Sequence, residues 1–107
     1  MTKQQFFFRL IPPRPTFAED MDDDEQELMR QHMTYVGEYF EAGTVLAYGP
    51  VRDPDGWFGI ALLEVLHPDE AIQFAENDPT VLAGLNSYSI APMHIAAARG
   101  FRAEPSA

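Results

Sequence analysis

The sequence predicts an α+β fold in which a strand, a helix, two strands, a second helix and a last strand follow one another in one domain. Four short segments have the alternation or the aromatic and branched residues of strands, and two others repeat apolar residues at spacings of three and four. A chain of 107 residues with 46% apolar content can bury one core and is too short for several domains. We therefore predict a single domain over residues 1–107, with a core over about residues 4–97 and a polar C-terminal tail.

The first strand is predicted over residues 4–11, QQFFFRLI, and it ends at Pro12 and Pro13, which cannot donate hydrogen bonds to a sheet. Both faces of this strand are largely apolar, so both need to be covered. One face carries Phe6, Phe8 and Leu10, and the other carries Phe7, Arg9 and Ile11.

A proline-rich and then acidic segment follows, with seven carboxylates from Glu19 to Glu27, and it predicts a loop that leads into a helix. Asp22 and Glu25 have the spacing of a capping box, and the negative charge suits the positive start of a helix. The segment lacks the glycine turn and the alternating ligands of a calcium loop, so we predict no metal site there.

The first helix is predicted from about Asp24 to Ala42, with Gly43 as its left-handed stop. One stripe of apolar residues at helical spacing is expected to face the core. It consists of Met29, Met33, Val36 and Phe40. A second stripe lies beside it and combines apolar side-chain surface with three polar groups. It consists of Leu28, His32, Tyr35 and Tyr39.

A hairpin is predicted next, with strands over residues 44–51 and 57–66 joined by a turn. The second helix begins at Pro68, because a first helical position tolerates the missing amide proton. Asp78 is predicted to cap a further helical turn, and residues 87–98 are predicted as the fourth strand.

With right-handed crossovers, this order of elements gives the four-stranded antiparallel sheet of a ferredoxin-like fold, with both helices on one face. The opposite face, formed by members of residues 6–11 and 58–66, would then be a larger apolar patch than soluble monomers expose. We therefore expect a homodimer in which two sheets pack face to face.

The composition excludes several classes of function. A formal charge of -10 disfavours binding to nucleic acid or to anionic membrane surfaces, and no apolar run is long enough to span a membrane. The absence of cysteine excludes disulfides, thiolate zinc sites and a cysteine nucleophile, and it favours a cytoplasmic location. The three histidines are scattered and no phosphate-binding glycine motif occurs, so we expect neither a metal nor a cofactor.

Short motifs at set places along the chain form an ordered series. They are His32 with Tyr35, Gly49-Pro50-Val51, Asp53-Pro54 with Gly56, Asp78-Pro79, Gly84, and Tyr88-Ser89-Ile90 before Pro92-Met93. Over roughly residues 5–95, this series resembles the YCII-related family. The resemblance implies a dimeric alpha-beta barrel of ferredoxin-like protomers, similar in fold to muconolactone isomerases. One branch of that family carries out dehydrochlorination of chlorinated hydroxyhydroquinones.

The resemblance also implies a candidate catalytic group. By position, His32 is the histidine that family members share, and Asp53 and Asp78 match recurrent acidic positions. An imidazole can take and return a proton near neutral pH, and a carboxylate can orient it. The alternatives are a packed core histidine for His32, a turn residue for Asp53 and a helix N-cap for Asp78.

The candidate substrate-binding residues lie near this group or on the sheet. Tyr35, one turn after His32, can hydrogen-bond a substrate oxygen or can be an ordinary residue at the edge of the core. Gly49 and Pro50 offer a stretch of main chain to a pocket between the helix and the sheet. Arg9 suits a carboxylate or phenolate ligand, or it forms an exposed ion pair.

Two functions are therefore open. The first is a cofactor-free lyase or isomerase that abstracts a proton from a small organic molecule, with His32 as the base. The second is a non-catalytic dimeric module that binds a small ligand or a partner protein. A pH dependence across the histidine range would favour the first, and a flat profile would favour the second.

Overall fold

The computed structural model describes residues 2–100, in which a four-stranded antiparallel sheet carries helices on one of its faces. Its elements are β1 (Gln4–Ile11), α1 (Phe17–Asp20), α2 (Asp23–Glu41), β2 (Val45–Val51), β3 (Phe58–Val65), α3 (Pro68–Glu76), α4 (Pro79–Leu82) and β4 (Ser87–Met93). The end of the predicted C-terminal tail, after residue 100, lies outside the described residues.

The strands lie in the order β2-β3-β1-β4, and every neighbouring pair is antiparallel. The first strand is therefore central: Phe8 pairs with Ala61 of β3 on one side and with Ile90 of β4 on the other. This order is that of a ferredoxin-like sheet. The predicted α+β class and antiparallel four-stranded sheet are confirmed.

The core lies between the sheet and the helices. Alternate residues of β1 point into it, and Phe8 and Leu10 are only 1% and 3% exposed. The ring of Phe8 meets that of Phe74 from α3 edge to face, with centroids 5.2 Å apart. Burial of each such side chain contributes roughly 1.5–3 kcal/mol, so this pairing anchors α3 on the sheet.

Within residues 2–100, no helix covers the opposite face of the sheet, which holds the alternate residues of β1. Phe7 is half-buried beside Leu62, and Ile11 is 37% exposed. The guanidinium of Arg9 lies 3.8 Å from the centre of the Phe58 ring, so this arginine stacks over an aromatic side chain. We call this surface the open sheet face.

The first helix differs from the prediction in its orientation. The core side of α2 is the side of His32 and Val36, whereas Met33 and Phe40 are 51% and 45% exposed. The tyrosine stripe turns inward because its aromatic rings pack around Phe74, which is fully buried. The stripe predicted to face the core is therefore only partly buried.

Two further predictions of element bounds were wrong. The segment predicted as a loop contains the short helix α1, whose Phe17 is 4% exposed. The fourth strand ends at Met93 and does not continue to residue 98, because Met93 pairs with Gln5 and β1 itself begins one residue earlier.

The predicted capping box is confirmed: Glu25 N donates to Asp22 Oδ1 at 2.8 Å, and Asp22 N donates to Glu25 Oε1 at 3.0 Å.

Among residues 2–100, no helix combines the length and the apolar character that crossing a bilayer requires.

Candidate functional site

A buried contact between α2 and the start of α4 forms the centre of the site. His32 Nδ1 lies 2.5 Å from Asp78 Oδ2, although the two residues are 46 positions apart in the sequence. His32 is 8% exposed and Asp78 is fully buried. Two ionisable groups are therefore joined where water scarcely reaches them, which strengthens their interaction.

The local backbone explains why Asp78 reaches His32. Asp78 precedes Pro79, which disfavours a helical conformation, and its φ and ψ of -58° and 131° are extended. As the N-cap of α4, its Oδ1 accepts hydrogen bonds from Thr80 N at 2.8 Å and from Thr80 Oγ1 at 2.6 Å. The other oxygen, Oδ2, remains for the imidazole.

The charge of Asp78 determines which nitrogen of His32 carries a proton. Burial acts to raise the pKa of Asp78, but the hydrogen bond and charge of His32 and the two donors of Thr80 outweigh it, and the pKa lies below its ordinary value of 3.8. An ionised carboxylate only accepts hydrogen bonds, so Nδ1 of His32 donates to it. In the neutral imidazole, the lone pair is then on Nε2, which has no hydrogen-bonding partner among residues 2–100.

His32 borders a cavity of about 310 Å³ between α2 and the helix-bearing face of the sheet. This volume is at the lower end of the range for small-molecule sites. The wall is almost entirely apolar, and its polar side chains are those of His32, Tyr48 and Asn86. Its main apolar residues are Phe8, Leu10, Phe17, Met29, Met33, Val36, Trp57 and Ala61.

The short helix α1 supplies part of this wall through Phe17, and an ion-pair cluster fixes it to α2. Arg14 donates to Glu25 Oε1 at 2.7 Å and to Asp20 Oδ1 at 2.8 Å. The hydrogen bonds from Arg14 lower the pKa of Glu25 to about 2. The acidic segment therefore helps to position one side of the cavity, in addition to capping α2.

The β2–β3 hairpin packs closely against the segment that precedes α1. Gly56 has a φ of +139°, and a Cβ built there would lie 3.1 Å from the Cα of Pro15. Only glycine suits both the backbone conformation and the close approach. This contact sets the hairpin, with Trp57, against the loop that precedes α1.

The structure brings together four of the residues proposed from the sequence. His32 and Asp78 form the buried pair, and Gly49 and Pro50 of β2 line the same cavity. Asp78 is also the N-cap that the alternative interpretation predicted, because its two oxygens serve the two purposes separately.

Three other proposed residues lie away from the cavity wall. The Tyr35 hydroxyl donates to Phe74 O at 2.8 Å, and burial raises its pKa, so it is a protonated core-edge group. Asp53 is half-buried in the hairpin turn, where its Oδ1 accepts from Asp55 N at 2.8 Å. Arg9 lies on the open sheet face. Each of these three residues therefore makes a contact elsewhere in the fold and does not line the cavity.

Sequence reasoning missed Asn86 and Phe17 as parts of the cavity wall. A single asparagine before a strand is typical of loops, so its side chain gave no signal. For Phe17, the sequence did offer a signal, since this aromatic residue lies between a proline-rich segment and a run of acidic residues. Within residues 2–100, no three His, Asp or Glu side chains are grouped so as to hold a metal ion.

The sheet order and the buried pair on an apolar cavity define a ferredoxin-like α+β protein with a candidate small-molecule site. The model of the YCII-related domain matches residues 5–94, and the chain therefore belongs to the YCII-related family. The resemblance seen in the sequence is confirmed. A comparison with curated proteins found no match.

A solved structure shares the fold. It is 5-chloro-2-hydroxyhydroquinone dehydrochlorinase from Burkholderia phenoliruptrix AC1100, in complex with 2,5-dihydroxybenzoquinone. The two chains are 20% identical with a TM-score of 0.59, and the match covers 83% of this chain and 93% of the other.

Proposed function

We propose that the protein is a cofactor-independent lyase or isomerase in which His32 transfers a proton to and from a small organic molecule in the cavity. One observation carries the proposal: Nδ1 of His32 lies 2.5 Å from the buried carboxylate of Asp78, and His32 borders an apolar cavity. An ionised Asp78 holds the proton of the neutral imidazole on Nδ1 and leaves the lone pair on Nε2. A base with a fixed tautomer beside an apolar cavity is an arrangement that suits proton abstraction.

The proposed reaction conserves protons and electrons. Nε2 accepts a proton from a carbon or hydroxyl group of the substrate, and the resulting imidazolium is paired with Asp78. The electrons released move into the substrate. In isomerisation they take up the same proton at another carbon, and in elimination they expel a leaving group such as chloride, after which the proton passes to water.

The substrate class follows from the cavity and from the structural neighbour. An apolar wall of about 310 Å³ suits one small ring better than an extended or charged molecule. The neighbour acts on a chlorinated hydroxyhydroquinone, and its fold covers most of this chain. We therefore propose a hydroxylated or chlorinated ring as the substrate and dehydrochlorination as the first reaction to assay.

The experiment is chloride release from 5-chloro-2-hydroxyhydroquinone, measured against the uncatalysed rate. We expect turnover by the wild type, with His32→Gln slower by at least about 10²-fold, the contribution of a positioned general base. His67→Gln is the matched control, because His67 is exposed at the start of α3. Equal rates for His32→Gln and the wild type would contradict the proposal. Binding of 2,5-dihydroxybenzoquinone without any turnover would favour the alternative of a non-catalytic binding module.

We also propose that two protomers pair through the open sheet face, as a dimeric alpha-beta barrel. Phe7, Ile11, Phe58 and Leu62 leave an apolar surface there. Analytical ultracentrifugation tests the pairing. We expect Leu62→Glu, which places a charge in this face, to sediment as a monomer, and Leu82→Glu, on the 68% exposed side chain of α4, to remain a dimer. A monomeric wild type would contradict the proposal.

A further inference from the structure

We infer that Asn86 binds an oxygen of the molecule held in the cavity, so that the cavity selects a ring with a hydroxyl or oxo group over an apolar ring of the same size. The inference rests on the proposed function only in placing a small molecule in this cavity. It concerns recognition and does not depend on any reaction.

The side chain of Asn86 is buried without the partners that an amide needs. Asn86 is 5% exposed and lies on the cavity wall. Its Oδ1 is the one buried side-chain nitrogen or oxygen atom without a hydrogen bond within residues 2–100. An unsatisfied buried amide oxygen destabilises a fold, so a residue kept in this state is a candidate for binding something else.

The amide nitrogen has only a weak partner. Asn86 Nδ2 lies 3.5 Å from the sulfur of Met29, which is a poor acceptor on a flexible side chain. Met29 lines the same cavity. The torsion that turns an asparagine amide is broad, so a ligand oxygen can replace the sulfur without strain.

The backbone of Asn86 is fixed by the same turn that positions Asp78. Asn86 N donates to Thr80 O at 3.1 Å, and Thr80 in turn donates to Asp78 through both its amide and its hydroxyl. The turn after α3 therefore positions the partner of the candidate base and the amide together. His32 and Asn86 are the buried polar side chains on the cavity wall, since Tyr48 is 37% exposed.

The two groups suit complementary parts of one ligand. When His32 Nε2 removes a proton from an enol or phenol-like ring, negative charge develops on a ring oxygen. An amide N–H from Asn86 can stabilise that oxygen beside the apolar wall of the cavity. After rotation of the same amide, the unpartnered Oδ1 can instead accept a hydrogen bond from a hydroxyl group of the neutral ligand. Both roles require an oxygen on the ring, and neither has any use for a purely apolar molecule.

The test compares two probes of nearly equal size, phenol and toluene, by NMR titration of the labelled wild type and of Asn86→Leu. We expect the preference for phenol over toluene to fall about fivefold in Asn86→Leu, the effect of one lost hydrogen bond. Asn77→Leu is the matched control, because the chain's other asparagine is exposed at the end of α3. Its preference should equal that of the wild type.

Several outcomes would overturn the inference. They are an unchanged preference in Asn86→Leu, an equal fall in Asn77→Leu, or no binding of phenol by the wild type. If Asn86→Leu does not fold, as judged by its NMR spectrum, Asn86→Ala replaces it and the same change is expected. Separate readouts distinguish this inference from the proposed function. The phenol preference of Asn86→Leu is measured without turnover, so it can fail or hold whatever the rate of chloride release.

Discussion

Two Asp-Pro pairs in this chain share their local chemistry and differ in everything else. Asp53 accepts a hydrogen bond from Asp55 N, and Asp78 accepts one from Thr80 N, each at 2.8 Å and each two residues further along. Asp53 is half-buried at a hairpin turn, whereas Asp78 is fully buried and also accepts from His32.

The comparison shows that the turn depends on the local sequence, whereas the candidate catalytic role depends on tertiary packing. Both turns follow from an aspartate before a proline, and such turns can be recognised in the sequence. The second oxygen of Asp78 meets an imidazole only because α2 packs on α4 and orients His32 inward. The same substitution made at both aspartates therefore tests the difference between them.

The largest expected difference is in stability. Asp78→Ala leaves His32 without its buried partner and removes the cap of α4, so we expect the free energy of unfolding to fall by about 3–5 kcal/mol. Asp53→Ala removes one turn hydrogen bond at a half-exposed position and should cost about 0.5–1 kcal/mol. Urea unfolding at pH 7 measures both, and equal losses would contradict the distinction.

The next difference is in activity, in the chloride-release assay. In Asp78→Asn, the amide oxygen keeps the Thr80 donors, so the amide nitrogen faces His32. The imidazole must then accept at Nδ1 and carry its proton on Nε2, which removes the base. We expect a fall of at least about 10²-fold for Asp78→Asn and no comparable fall for Asp53→Asn. Similar rates for the two variants would rule out the proposed tautomer as the active form.

The acid dependence of stability gives a smaller and directional effect. The pKa of Asp78 is lowered in the folded protein, so folding favours its ionised form. Its contribution is present above the ordinary value of 3.8 and is lost as the pH falls through the lower folded value. The stability gap between the wild type and Asp78→Asn should therefore narrow below about pH 3.8. Chemical denaturation between pH 2.5 and pH 6 measures the gap, and Glu25 titrates equally in both proteins.

The smallest effect concerns the hydroxyl that supports Asp78. Thr80→Val removes the hydrogen bond from Oγ1 to Asp78 Oδ1 but keeps the one from the backbone. We expect a loss of about 1 kcal/mol with the pair still formed and most of the activity retained. A loss as large as that of Asp78→Ala would mean that the hydroxyl, and not the carboxylate, holds the turn together.

Part of this arrangement could be predicted from the sequence. The strands, the helix caps and the sheet order follow from periodicity, prolines and acidic caps, which are local signals. The inward side of α2 could not be predicted, because the stripe with Met33 and Phe40 is more apolar than the stripe with Tyr35 and Tyr39. Only the packing of the tyrosine rings on Phe74, from α3, decides between them.

The candidate site shows the same limit. The family pattern pointed to His32, Asp53 and Asp78 together, and no local feature separates the two aspartates. Stability alone cannot reveal the role of His32 either, since His32→Ala would leave Asp78 buried without its partner whatever that role is. The discriminating readouts are the tautomer and the reaction rate.

The most direct measurement is the tautomer of His32, read from nitrogen-15 NMR of protein with labelled histidine. His32→Gln assigns the signal, and the exposed His67 and His94 give reference signals. The structure predicts that the neutral imidazole carries its proton on Nδ1, hydrogen-bonded to Asp78, and leaves Nε2 unprotonated. A neutral imidazole with its proton on Nε2 would contradict the account, because that nitrogen then cannot act as the base.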